Sequence, residues 1–431
     1  MGLCGEEGLS RDVEVGAAVP CGPRGARALP VGRFKVKDGS GVFWTGMEKV
    51  FLQGVGFAQG VLLARLLTPH DFGLVAMLGL FLCVGNDLAE SGLGTAYVVY
   101  GGNERKMLAW NVGIGLGIYG LMALGAPFVA SFYGQPILKP LLWTMGAGVV
   151  LNAACVLGNA RLQRGRRFRR LSVVNCVTAL CAFAVAVTLA WRGMGVWSIA
   201  LMGLCAAGLR LGQLTLATRG LSPSAEQCPI GKLLSYGWKL TLSGLIHTVY
   251  MNCHQLVIGK LFAPTAVGLY TRGQRWASLP DETVNGAVMR VALPSLAEGT
   301  SSPRRYLAMT CLLLWPGLAV LGLFAEEIVR FVLGEAWVDC VPYLRILLVG
   351  VVFSPFANVA LSQLRAKGRG DLILLTDAIK KPLQILALAV GCAAIVLGGV
   401  KDGLSFLCWT KVFGDLVEAA VDCIVVRRTL G

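Results

Sequence analysis

Five basic side chains, Lys49, Lys239, Arg272, Arg275 and Arg290, sit inside long apolar stretches of the chain. A charge at bilayer depth is costly, and such residues usually face a bundle interior or a water-filled cavity rather than lipid. Together the five are candidates to hold an anion. Arginine suits phosphate, because its planar fork donates two parallel hydrogen bonds. The competing reading has them snorkel to the interface or pair with Glu48, Asp281 or Glu282. Lys49 adjoins Glu48, and Arg290 and Arg272 lie near helix ends, whereas Arg275, one turn deeper than Arg272, is the leading cavity candidate. Three acids in similar surroundings, Asp87, Glu90 and Glu282, have the chemistry to carry a coupling proton or bind sodium, or to form a structural salt bridge.

Metal and cofactor chemistry are not indicated. His247 and His254 are two turns apart along one helix face, with no acidic or cysteine partner at ligand spacing. Both are expected to be ordinary hydrogen-bonded residues. The 14 cysteines are scattered, and most, such as Cys155, Cys176, Cys181 and Cys205, lie in apolar runs as small filler. No CxxC pair occurs, so neither a disulfide framework nor a zinc site is predicted.

The elements that must position these groups follow from composition. Hydrophobic residues make up 55% of the chain and charged residues 15%, and the mean hydropathy is +0.66. This is a membrane composition. A spanning helix needs about 20 apolar residues. Seven stretches supply them: 107–131, 141–160, 171–191, 193–209, 306–325, 346–364 and 382–400. Five more, about 42–67, 72–100, 232–259, 266–296 and 403–426, are long and apolar but carry charges. The sequence therefore predicts an all-α membrane protein of about twelve transmembrane helices. Among the charged five, 403–426 also carries Lys411, Asp415, Glu418 and Asp422, partly near its end.

The net charge is +15, and its placement argues against nucleic acid as a partner. Arg105, Lys106, the Arg161–Arg170 run, Arg219, Lys232, Arg304, Arg305, Arg365, Lys367, Arg369, Lys380, Lys381, Arg427 and Arg428 fall on one side of the predicted topology, with the N-terminal tail. Arg65, Lys139, Arg192, Lys260, Arg345 and Lys401 fall on the other, about one per loop. The positive-inside rule then puts both termini in the cytoplasm. The first 38 residues lack the apolar core of a signal peptide and are predicted to be a disordered basic tail.

Segment 62–74, LLARLLTPHDFGL, aligns without gaps to 257–269, VIGKLFAPTAVGL. Arg65 matches Lys260, Pro69 matches Pro264, and Gly73 matches Gly268. Each segment ends one predicted span and starts the next, which divides the chain into parallel six-helix bundles at 39–220 and 221–431. The charged helices are those the repeat joins, so they are expected to line a central, partly hydrated cavity between the bundles.

Several stretches resemble the polysaccharide transporters and O-antigen-type flippases of the multidrug/oligosaccharidyl-lipid/polysaccharide exporter superfamily. They are LLARLLTPHDFGLVAM at 62–77, AESGLGTAYV at 89–98, LQRGRRFRRLSVVN at 162–175, GVWSIAL at 195–201, VGLYTRGQRWASLP at 267–280, MRVALPSLAE at 289–298, GEAWVDCVPYLRIL at 334–347 and AKGRGDL at 366–372. The resemblance implies a V-shaped pair of six-helix halves that alternates between inward- and outward-open states in the bacterial inner membrane. It implies a polyprenyl-pyrophosphate-linked oligosaccharide as cargo, membrane lipids around it, and a basic cavity for pyrophosphate and sugar. Arg272 matches a frequent family arginine after Gly-Leu-Tyr. The alternative within the superfamily is a cation-coupled drug antiporter, which would want a cavity dominated by acids. A major-facilitator carrier is disfavoured because GGNERK at 101–106 lacks the Gly-x-x-x-Asp-Arg pattern. A membrane glycosyltransferase would need a large catalytic loop. No segment outside the predicted spans, after the tail, exceeds about 20 residues, so no enzyme is expected.

Overall fold

The computed structural model describes residues 39–221, 228–297, 302–367, 369–398 and 402–430. The expected tail over 1–38 lies outside them. Among the described residues every element is helical. The order is α1 (Gly39–Leu66), α2 (Pro69–Glu90), α3 (Leu93–Tyr100), α4 (Glu104–Tyr133), α5 (Leu138–Arg164), α6 (Phe168–Trp191), α7 (Val196–Ala217) and α8 (Ile230–Leu261). It continues with α9 (Pro264–Ala297), α10 (Pro303–Leu323), α11 (Ala325–Val332), a 3-10 turn (Glu335–Cys340), α12 (Val341–Val351), α13 (Ser354–Ala366), α14 (Gly370–Val396) and α15 (Gly403–Leu430).

Eight helical units are long and apolar enough to cross a membrane. The charged helices α1, α8, α9 and α15 run for 28, 32, 34 and 28 residues. At about 1.5 Å per residue each exceeds the hydrocarbon thickness. Leu121, Leu124, Phe128, Leu312 and Val396 point outward, which lipid accepts and water would not. The chain is an all-α, multi-pass membrane protein.

Local sequence explains the helix ends. Thr68 and Asp71 form a capping box at the start of α2: Asp71 N–H donates to Thr68 Oγ1 at 3.3 Å and Thr68 N–H to Asp71 Oδ2 at 3.1 Å. Pro69 takes the first helical position, where its missing N–H costs nothing. The stretch expected as one helix over 72–100 is broken, because Ser91 and Gly92 both adopt left-handed φ, at 49° and 59°. A second difference concerns α14. The uncharged apolar stretch begins at Pro382, directly after Lys380 and Lys381, which places a helix start there. The helix instead begins at Gly370 and carries Pro382 within it, which membrane helices tolerate when neighbours satisfy the freed carbonyl. Lys380 and Lys381 are therefore helical residues and not loop cations.

The repeat residues meet each other. A β-carbon on Gly73 would fall 1.7 Å from the Pro264 carbonyl oxygen, and one on Gly268 would fall 2.0 Å from that of Pro69. So α2 and α9 cross backbone to backbone at matching points, and only glycine permits it. The matched cations behave alike. Arg65 Nε donates to Val332 O at 3.0 Å and its terminal nitrogen to Phe331 O, while Lys260 Nζ donates to Phe132 O at 2.7 Å. Each cation leaves one segment of the repeat and reaches the C-terminal end of a helix distant in sequence, α11 for Arg65 and α4 for Lys260. At the other end of α2, Gly92 and Gly237 approach closely, a β-carbon on Gly237 lying 2.4 Å from Ser91 O. A large apolar cluster that includes Leu74, Met77, Leu78, Tyr270, Trp337 and Leu344 ties α2, α9, α12 and the 3-10 turn together.

Candidate functional site

The first cavity is a slot of about 720 Å³ between α1, α9 and α10. Its walls are mostly apolar, with Phe57 and Trp276 facing each other at 5.9 Å between ring centres. Arg272 and Arg275 both line it. Arg272 lies 4.0 Å from the ring centre of Phe72 and 5.3 Å from that of Trp337. That clamp is itself fixed: the two rings meet edge to face at 5.3 Å, and the Trp337 indole N–H donates to Ala64 O at 2.7 Å. Aromatic faces stabilise a cation without neutralising it. Among the described residues no carboxylate pairs with Arg272, and its buried Nε has no hydrogen-bond partner. Arg275 is more exposed and pairs with Glu282 at 2.7 Å. Gln53 of α1 bridges to Thr283 of α9 at 3.2 Å across the slot.

The second cavity, about 450 Å³, lies among α2, α3, α5, α6 and α7. Glu90 lines it beside Asn86, Asn152, Asn159, Gln163, Asn175 and Arg210. Asp87, by contrast, turns to α8, where the Thr248 hydroxyl donates to its carboxylate. Lys49 is exposed, and its neighbour Glu48 accepts from Ser172 at 2.6 Å and Asn175 at 2.7 Å, so the considered Glu48–Lys49 pair does not form. Asp281 accepts from Ser354 and Asn285. The side chains of Lys239, His247 and Arg290 lie outside the described ones. His254 is buried beside Cys253, its Nδ1 3.6 Å from Sγ. Among the described residues no group of His, Cys, Asp and Glu has the arrangement of a metal site. The predicted residues thus divide: Arg272, Arg275 and Glu282 gather at the slot, Glu90 at the second cavity, and Asp87 at the α2–α8 contact.

A third polar centre was missed by sequence reasoning. Lys380 of α14 is buried, with Nζ 3.3 Å from Asp377, 3.1 Å from Glu418 and 3.0 Å from Asp422. Lys381 sits 3.7 Å from the ring centre of Tyr250 on α8, and Lys411 pairs with Asp415. The signal was present: Lys411, Asp415, Glu418 and Asp422 follow 4-3-4 spacing, one stripe of a helix. Placing the α14 start at Pro382 hid the partner that this stripe faces.

These helices, crossings and internal cavities define an all-α, multi-pass membrane protein with polar cavities inside its helical bundle. The chain belongs to the polysaccharide biosynthesis protein family, which it matches over residues 62–342. It is 24% identical over 388 residues to the lipopolysaccharide biosynthesis protein WzxC of Escherichia coli (strain K12), covering 85% of this chain and 77% of that one. It is 25% identical over 382 residues to the succinoglycan biosynthesis transport protein ExoT of Rhizobium meliloti (strain 1021), covering 85% and 76%. In fold it resembles the inward closed conformation of the lipid II flippase MurJ, at TM-score 0.71 and 13% identity over 90% of this chain and 87% of that one. It also resembles an outward-facing multidrug resistance transporter of the MATE family, at TM-score 0.57 and 14% identity over 90% and 94%.

Proposed function

We propose that this protein translocates a polyprenyl-pyrophosphate-linked oligosaccharide across the bacterial inner membrane by alternating access, with halves 39–220 and 221–431 rocking about the cargo and both termini cytoplasmic. One observation carries the reading: Arg272 presents to an apolar-walled slot a guanidinium that no carboxylate among the described residues pairs with. A lipid pyrophosphate combines the same two properties, a multivalent anion on a hydrocarbon tail. Arg272 supplies fixed positive charge held by the aromatic clamp. Arg275 supplies a second fork, for which the arriving anion competes with Glu282. Displacement of Glu282 frees a carboxylate to take up a coupling proton or sodium ion, and Asp87 and Glu90 are the other candidates for that role. The names of the family relatives support the same cargo class. A drug antiporter would want a carboxylate-rich slot, which this one is not.

The test uses proteoliposomes holding a fluorescent polyprenyl-pyrophosphate saccharide, with translocation read by accessibility to an external quencher. Losing a hydrogen bond to a charged group costs about 1.5–3 kcal/mol, so Arg272→Ala and Arg275→Ala should each slow translocation about 10- to 100-fold. Unchanged rates in both variants, with normal insertion, would refute the anion slot.

A further inference from the structure

We infer that the second cavity, within the N-terminal half, is a binding site for saccharide hydroxyl groups, separate from the arginine slot. It rests on the reading of a glycan-bearing cargo and adds where the glycan is recognised. Five carboxamides converge on one space of about 450 Å³: Asn86 from α2, Asn152, Asn159 and Gln163 from α5, and Asn175 from α6. Small-molecule sites occupy about 300–1,000 Å³. The α5 residues lie seven and then four positions apart, so they share one helix face.

Amides between membrane helices also serve as interhelical glue. That role accounts for one pair, the Asn152 Nδ2 donation to Asn86 Oδ1 at 2.9 Å. It also accounts for the Asn175 Nδ2 donation to Glu48 of α1 at 2.7 Å, and Asn86 Nδ2 donates within α2 to Leu82 O at 2.8 Å, but it leaves Asn159 and Gln163 unexplained. A carboxamide can make about four hydrogen bonds, and those here are mostly unused within the protein. Among the described residues Asn152 Oδ1 accepts nothing, Gln163 has no side-chain partner, and Asn159 accepts only a long 3.4 Å bond from Arg210. The buried Nε of Arg210 likewise has no partner among the described residues. Polar groups in a bilayer protein that do not satisfy one another must be satisfied by water or a ligand.

The chemistry selects the ligand. An amide offers donor and acceptor side by side in one plane, and adjacent sugar hydroxyls offer the same pair in return. An inorganic anion would want more cations than Arg210 alone, and an apolar drug would want aromatic walls, of which this lining has none. Arg210 can additionally hold the carboxylate of an acidic sugar, with Glu90 and the Thr95 hydroxyl completing the polar wall. Gln163 stands in the last turn of α5 and Leu171 in the first turn of α6, so the cavity reaches the face that carries the basic loops. It shares no lining residue with the arginine slot.

The experiment uses the full-length protein in nanodiscs with two probes. Methyl glycosides of glucose, galactose and glucuronic acid are followed by saturation-transfer NMR, and inorganic pyrophosphate by calorimetry. At least one glycoside should receive transfer from the wild type. Asn159→Leu and Gln163→Leu should weaken it about tenfold each, the effect of one lost polar contact. Retained pyrophosphate binding in these variants shows that they are folded. Arg272→Ala should do the reverse, losing pyrophosphate and keeping the glycoside. No transfer from any glycoside to the wild type, or transfer unaffected by both amide variants, overturns the site. Glycoside binding with no pyrophosphate binding to the wild type would instead sink the anion slot and leave the amide site standing.

Discussion

Gly73→Ala offers a direct test of the α2–α9 crossing. The new methyl group would lie 1.7 Å from the Pro264 carbonyl oxygen and 2.4 Å from its carbon, where ordinary contact begins near 3.4 Å. The obstacle is backbone inside a helix, which cannot swing aside as a side chain can. The helices must part by about 1.5 Å, and overpacking of this kind costs about 1–3 kcal/mol. At the upper end, about 3 kcal/mol, the closed crossing loses about two orders of magnitude in population. Gly268→Ala meets Pro69 O at 2.0 Å and should act alike. Because one separation relieves both clashes, the double variant should cost little more than either single one. Hydrogen exchange by mass spectrometry, on peptides covering the α1–α2 and α8–α9 turns, reads this opening. Both singles should speed exchange there about 100-fold, with no further increase in the double. Exchange within about twofold of wild type in the singles, or additive effects in the double, would refute the close reciprocal crossing.

Other outcomes follow from the same geometry. Lys380→Met removes a cation whose side chain is 3% exposed from beside Asp422, which is 1% exposed. Breaking such a buried pair costs about 3–5 kcal/mol, so the half-life in detergent should collapse, and Lys380→Met with Asp422→Leu should recover part of it. Arg65→Ala and Lys260→Ala remove exposed cations from helix ends, worth about 0.5–1 kcal/mol each. Each should raise hydrogen exchange a few-fold at its partner helix end, around Phe331 and Phe132 respectively. Arg272→Lys keeps the charge but loses the flat stacking between Phe72 and Trp337, and should retain less than about a tenth of wild-type pyrophosphate binding by calorimetry.

The membrane class, the helical units and the pairing of segment 62–74 with 257–269 were legible in the residues, because hydropathy and a gapless repeat are local signals. The helix interruptions were less so. Ser91 breaks α2 through a left-handed backbone that serine seldom adopts, and no residue preference announces it. The charges of Lys380 and Lys381 put the expected start of α14 at Pro382, but both lysines are helical and Lys380 meets Glu418 and Asp422 of α15. At the site, Arg272 and Arg275 could be named from their depth in an apolar stretch. The Arg275–Glu282 pair was legible as an option, since seven residues separate them on one helix. The aromatic clamp was not, because Phe72 and Trp337 lie far apart in sequence and only the fold joins them. The amide cavity escaped notice for another reason: asparagine in an apolar helix carries no charge to draw attention, and convergence of five amides exists only in three dimensions.

The reciprocal contact between the two segments ties their histories together. Each glycine is obliged by a proline of the other segment, while the matched cations Arg65 and Lys260 each reach carbonyls at a helix end outside the segments. Should the two halves descend from one duplicated ancestor, neither copy has been free to drift alone at these positions. A homodimeric forebear would already have possessed both contacts from a single gene, since a twofold axis generates the second from the first.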